Sequence, residues 1–264
     1  MSRTGAWIGL AIGLSIGISN GGAAIAQPPT ARTSPASTGT TPDSLFQTLA
    51  GAASQKQLAS VLSCYSESFR SQDGLDRQGV GNTLESLWQL YPQVQFTSQV
   101  LSSQVKDGRT IAEVETRISG TGQRDGRSLR LEGRQVSRYT LEQNQIVAET
   151  VLNEESRQTT GAKPPQLTVQ LPERVLTGQQ FSFDAIVEDP LGDDFLLGSI
   201  SSTPVTKAGY LQPQVNLRLE ALQAGGLFKQ ARAPQKPGQF WMTALVVRKD
   251  GMITVARRLT IADQ

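Results

Sequence analysis

The side chain best placed for proton transfer in this 264-residue chain is Asp73, in the run Ser71-Gln72-Asp73-Gly74. A carboxylate held away from water rises in pKa and can then take a proton near neutral pH. The same run also reads as an Asp-Gly turn. There is no histidine anywhere in the chain. That removes the usual neutral-pH proton shuttle and the commonest metal ligand, and with them Ser-His-Asp and Cys-His nucleophilic catalysis. Cys64 is the only cysteine, so no intramolecular disulfide can form, and its apolar helical setting reads as a buried thiol. Glu188, Asp189, Asp193 and Asp194 crowd one loop with oxygens of the kind calcium prefers. No motif fixes ligand spacing there, and Pro190-Leu191-Gly192 reads as a turn. Neither a metal nor a cofactor is expected.

The elements that must position these groups fall into two halves. In the first, Leu45, Phe46, Leu49, Ala52 and Ala53 recur at helical spacing behind an Asp43 cap. Leu58, Val61, Leu62 and Tyr65 continue the helical pattern, which Phe69 closes. Asp76 caps a shorter helix carrying Leu84, Leu87, Trp88 and Tyr91, and Pro92 stops it. From Val94 the period changes to two, with strands expected over 94–106, 109–120, 128–142 and 145–154. A two-residue turn at Asp125-Gly126 pairs 124 with 127. Val114, Thr116 and Ile118 then oppose Ser137, Gln135 and Gly133, and Glu113 opposes Arg138. Arg124, Arg127, Arg130, Arg134 and Arg138 interleave with glutamates on one face, which reads as a solvated ion-pair ladder. The other face is apolar with small polar groups, so the sheet should be curved and antiparallel, wet on one side and covered by helices on the other.

Past Gly161-Ala162-Lys163-Pro164-Pro165 the helical patterns largely stop. Strands are expected over 166–171, 179–188, 194–202, 214–221, 226–231, 239–249 and 252–261. Seven short strands in this span predict an immunoglobulin-like sandwich. Phe240 and Trp241 are neighbours on one strand and must point to opposite faces, one of them toward an interface.

Two helical stretches, the segment Cys64-Tyr65-Ser66-Glu67-Ser68-Phe69, the helix end Leu87-Trp88-Gln89-Leu90-Tyr91-Pro92 and the meander closing on Ile146-Val147-Ala148-Glu149-Thr150-Val151-Leu152 carry a resemblance. Together they look like the nuclear-transport-factor-2-like superfamily, which includes SnoaL-like polyketide cyclases and ketosteroid isomerase. The whole chain resembles exported cyanobacterial members that pair such a domain with a β-rich C-terminal region. The resemblance implies an α+β cone, with helices packed on a curved antiparallel sheet, followed by the all-β immunoglobulin-like sandwich. It implies a pocket, for which Tyr65, Trp88, Tyr91, Thr116, Gln135, Ser137 and Tyr139 are the inward-facing candidates; the same side chains equally suit a filled core. Aligned without gaps to ketosteroid isomerase over 49–74, Asp73 takes the general-base position, while Leu49 takes that of the oxyanion-holding tyrosine. Leucine donates no hydrogen bond, so an enolate charge would go unsupported.

Residues 1–26 read as a secretory signal peptide: Arg3, an apolar run over 6–19, then Ala24-Ile25-Ala26 before Gln27. Residues 27–42 form a Pro/Thr/Ser-rich linker, 43–157 the first domain, 158–165 a second linker and 166–264 the sandwich. With 25 basic and 23 acidic residues, nothing calls for nucleic acid. No membrane span is expected after signal cleavage, which leaves the periplasm, the thylakoid lumen or the exterior as the compartment. The expectation is a non-catalytic envelope protein that binds a small apolar or amphipathic ligand or a protein partner, with a homodimer as one form. Two alternatives stand beside it: a pocket enzyme of isomerase, cyclase or dehydratase type using Asp73 as base, and adhesion to wall or surface through the C-terminal sandwich.

Overall fold

The computed structural model describes residues 41–124, 126–188, 195–211, 218–222 and 225–263. The expected signal peptide, linker residues 27–40, and Asp189, Asp193 and Asp194 of the acidic loop lie outside the described residues.

Helix α1 (Pro42–Ser54) begins earlier than expected. Thr41, not Asp43, is its cap, and its hydroxyl accepts from the Ser44 N–H at 3.4 Å. Pro42 suits the first turn because its missing N–H is one the helix would leave unbonded anyway. Helix α2 (Leu58–Ser63) is short, and the chain turns extended at Tyr65 to form β1 (Tyr65–Ser71). The helical reading through Phe69 fails because a spacing of four puts Tyr65 and Phe69 on one side of either a helix or a strand. Pairing with a later strand decides between them. Helix α3 (Arg77–Leu90) is capped as read: the Asp76 carboxylate accepts from the Gly79 N–H at 2.7 Å.

Four long strands follow: β2 (Gln93–Lys106), β3 (Arg109–Arg124), β4 (Arg127–Glu142) and β5 (Gln145–Gly161). Their register is the one read from the Asp-Gly turn, with Val114 opposite Ser137, Thr116 opposite Gln135 and Glu113 opposite Arg138. On the outer face, Arg138 reaches Glu113 at 2.7 Å, while Glu115 takes Arg134 at 2.6 Å and Arg117 at 2.7 Å. The second half contributes β6 (Leu167–Gln170), β7 (Arg174–Leu176), β8 (Gln180–Val187), β9 (Leu197–Pro204), α4 (Lys207–Leu211), β10 (Glu220–Ala221), β11 (Gly226–Arg232), β12 (Gly238–Arg248) and β13 (Gly251–Ala262).

The expected fold class, an α+β cone followed by a separate immunoglobulin-like sandwich, is wrong. Strands make up about 61% of the described residues and helices 18%. One ten-stranded sheet, mainly antiparallel, runs through both halves in the order β10-β9-β12-β13-β5-β4-β3-β2, with β1 beside β5 and β7 beside β13. Among the described residues, β11, β8 and β6 form a second sheet. The reason is the length of β5. It continues past residue 154 and offers the backbone of 155–161 to β13, with Arg257 opposite Glu155 and Gly251 opposite Gly161. An unpaired strand edge binds another strand wherever geometry allows, and here the C-terminal half fills it.

The large sheet therefore buries different partners on its two faces. Toward the C-terminal end, Phe183, Ala185 and Val187 of the small sheet pack against Ala244, Val246, Ile253, Val255 and Leu259. On the opposite face of the first half, Leu45, Phe46 and Ala53 of α1 meet Ala112, Val114, Tyr139 and Ile146. Trp241 and Phe240 do point to opposite faces: Trp241 packs with Leu75 and Tyr210, and Phe240 packs against the core between the two sheets.

Candidate functional site

The inner face of β5 does not follow period two. Leu152 and Val147 are each extra residues against β4, so Ile146, Glu149, Val151 and Glu154 come to oppose Leu141, Tyr139, Ser137 and Gln135. Each bulge re-aims the residues that follow it. The result is that two glutamates, separated by five positions, face the same side as Gln135, Ser137 and Tyr139. The regular alternation read from the sequence could not place them there.

A cavity of about 130 Å³ lies between this face, the helices and the turn after β1. Leu49, Leu75, Val80, Leu84, Phe96, Ile118 and Val151 supply apolar wall. The meander contributes the polar groups Ser98, Thr116, Gln135, Tyr139 and Glu149, while Thr83 of α3, Asp73 of the turn and Tyr210 of α4 add others. Ser98 and Thr116 share a hydrogen bond at 3.2 Å. Gln135 Nε2 and Ser137 Oγ both donate to Glu149 Oε1 at 2.9 Å, and the Tyr139 phenol also bonds this carboxyl. Glu149 keeps some accessible surface because it lines the cavity. Desolvation dominates its titration and raises its pKa. The Ser137 and Tyr139 hydrogen bonds pull the other way, as does the Arg258 charge, and the Asp73 charge adds to the rise. Tyr65 and Tyr139 are pushed well above the ordinary phenol range by burial, with the Glu149 charge adding to it.

Asp73 lies at the cavity wall, its side chain 6% exposed, and its oxygens are already taken. Arg258 Nη1 donates to Oδ1 at 3.1 Å and Nη2 donates to Oδ2 at 2.9 Å, a bidentate pair. The Tyr210 hydroxyl donates to Oδ2 at 2.8 Å. Arg258 also holds Glu154, with Nη2 at 2.7 Å and Nε at 3.0 Å from Oε2, and Trp241 Nε1 donates to the same oxygen at 3.1 Å. Gln239 completes the set by accepting from Arg258 Nη1. The negative charges of Glu154 and Asp73 and the hydrogen bonds to Asp73 outweigh burial and raise the Arg258 pKa, so the guanidinium is permanently charged. Helix α4 ties down the same region: Lys207 Nζ meets Asp76 Oδ2 at 2.7 Å.

Of the residues expected to line a pocket, Tyr65, Thr116, Gln135 and Tyr139 line this cavity. Ser137 is buried beside it and acts through Glu149. Trp88 and Tyr91 pack elsewhere, with Leu87, Val94, Leu129 and Leu131. The Trp88 indole donates to the Ala53 carbonyl at 3.0 Å, and the Tyr91 phenol meets Gln158. Glu149, Glu154, Tyr210 and Arg258 escaped the sequence reading. The glutamates were hidden by the bulges, and Arg258 by a separation of 185 residues from Asp73. Among the described residues no group of three or more Cys, Asp or Glu gathers as a metal site, and no helix is long and apolar enough to cross a membrane.

Residues 162–262 match the model of a family described as a domain of unknown function, DUF8623. No curated protein matches the chain. Similar solved structures include a loop-truncated variant of IdmH, at 14% identity over 42% of this chain and 91% of that one, with a TM-score of 0.30. An LEH-like epoxide hydrolase of M. tuberculosis matches at 8% identity over 41% and 79%, with a TM-score of 0.29. AclR of Streptomyces galilaeus matches at 15% identity over 40% and 71%, with a TM-score of 0.31. Likeness at that level says nothing about chemistry.

Proposed function

We propose that this is an exported protein, distantly related to the nuclear-transport-factor-2-like superfamily in its first half, that binds a small, mostly apolar ligand rather than transforming one. The observation that carries this reading is the cavity beside Glu149, walled largely by apolar side chains with a polar cluster at Gln135, Tyr139 and Glu149. Such a division suits a compact molecule with one hydrogen-bonding end. Its volume is comparable to the roughly 150 Å³ apolar cavities that take up benzene. Binding is favoured over turnover because Asp73, the base the sequence pointed to, has both oxygens engaged by Arg258 and Tyr210. Leu49, on the same cavity wall, offers no donor to a developing oxyanion.

Calorimetric titration of the purified protein with toluene and benzyl alcohol tests the cavity. Saturable binding that Thr116→Phe abolishes is expected, because the added ring fills the space. No heat from either probe, or equal heat from the variant, would remove the reading. Turnover of any substrate that Asp73→Asn abolishes would move the protein to the enzymes. Export is tested by the N-terminus of the protein in its own host, expected at Gln27 in an envelope fraction; a cytoplasmic protein still beginning at Met1 would refute it.

A further inference from the structure

We propose that the ligand of this cavity is a small hydrophobic amine, bound as its cation with the ammonium on Glu149. This rests on the cavity reading above and adds a charge to it. Two carboxylates, Asp73 and Glu149, stand among the lining residues, and no lysine or arginine does. The cation whose charge bears on Glu149 is Arg258, and it is divided between Asp73 and Glu154 at 2.9 and 2.7 Å. Those three side chains together leave one excess negative charge, and Glu149 adds a second. Among the described residues Glu149 has no cationic partner; it is met only by the neutral donors Gln135, Ser137 and Tyr139.

A buried carboxylate without a counterion is costly. A cation entering the cavity would pair with Glu149 and screen it from Asp73, whose charge bears on it. The walls fit the rest of such a ligand. Tyr65, Phe96, Tyr139 and Tyr210 line the cavity, and aromatic faces attract ammonium groups. A second, independent feature points to an occupant. Thr83, 6% exposed on α3, also lines the cavity, and its buried hydroxyl has no hydrogen-bond partner in the protein. Buried hydroxyls are rarely left so, and a ligand polar atom would satisfy this one. An anionic ligand has no cation to meet at this wall.

The test is a matched probe series on the purified protein at pH 7.5: benzylamine, benzyl alcohol, toluene and benzoate, measured by calorimetry. Benzylamine should bind at least about ten-fold more tightly than benzyl alcohol, and benzoate should not bind. Glu149→Gln should bring benzylamine to within about three-fold of benzyl alcohol, both measured on the variant. If benzyl alcohol binds as well as benzylamine, or Glu149→Gln keeps the amine preference, the cation assignment falls while the cavity reading stands. If no probe binds, both fall together. Should Glu149→Gln fail to fold, the wild-type series decides the question by itself.

Discussion

Arg258 Nη2 donates to Asp73 Oδ2 at 2.9 Å, although 185 residues separate the two in the chain. Their side chains are 1% and 6% exposed. The C-terminal half thus supplies the counterion for the one carboxylate that the sequence singled out for chemistry. The carboxylate that the sequence offered as a base is part of the joint between halves.

Arg258→Met should be strongly destabilising. It strands Asp73 and Glu154 in the interior without a cation, and breaking a buried ion pair from one side typically costs about 3–5 kcal/mol. Adding Asp73→Asn and Glu154→Gln to the same chain should recover much of the loss, because the uncompensated charges go with them. Urea unfolding of the single and triple variants measures both effects. A loss below about 1 kcal/mol for Arg258→Met would show that the joint is far more hydrated than its burial implies.

Glu149 should make the fold less stable as pH rises. Desolvation raises its folded pKa above the roughly 4.3 of a free glutamate. Between those two values the native state holds more protons than the unfolded one, so stability falls with rising pH through that window. Glu149→Gln should remove this slope and melt higher than wild type at neutral pH. Melting temperatures of both proteins from pH 4 to 8 test this; parallel curves would assign the slope to another group.

All four tyrosines of the chain should resist ionisation until the protein unfolds. Burial pushes Tyr91 up to about 12 and Tyr65, Tyr139 and Tyr210 well above the usual range. Alkaline titration followed at the tyrosinate band should show little change before circular dichroism reports unfolding. Tyrosinate appearing near pH 10 in an intact fold would contradict the burial of these rings.

Gly161, where β5 meets β13, should not tolerate alanine. Its φ is +93°, and a Cβ there would sit 2.4 Å from the Asp250 carbonyl oxygen. Left-handed backbone at a non-glycine residue costs about 1–3 kcal/mol before any clash. Gly126, with φ +73° and open space around its Cβ position, isolates the backbone part. Gly161→Ala should therefore cost clearly more than Gly126→Ala in thermal unfolding, and equal costs would mean that the strand junction yields easily.

Much of the fold was legible because it is local. The pairing of Val114 with Ser137 follows from one turn and a period of two, and the Asp76 cap from one side chain and the N–H three residues on. Local ambiguity explains some failures: Tyr65 and Phe69 fit a helix or a strand equally well. Asp73 was legible as a carboxylate of interest, and Tyr65, Thr116, Gln135 and Tyr139 as cavity residues. Trp88 and Tyr91 were not separable from these, because a core position and a cavity position look the same in one chain's pattern.

By itself the amino-acid sequence determined where the four strands of the meander begin, the register of β3 on β4, the charged outer face and the absence of histidine chemistry. The tertiary structure alone decided the rest. Whether the outer edge of β5 stays free or accepts β13 depends on backbone hydrogen-bonding groups that every residue carries, so no side-chain pattern announces it. The bulges at Val147 and Leu152 depend on how β5 bends against β4, and they turn Glu149 and Glu154 inward. Long-range pairing then brings Arg258 and Tyr210 to Asp73, and a buried charge finds its partner in three dimensions because low dielectric makes the unpaired state costly.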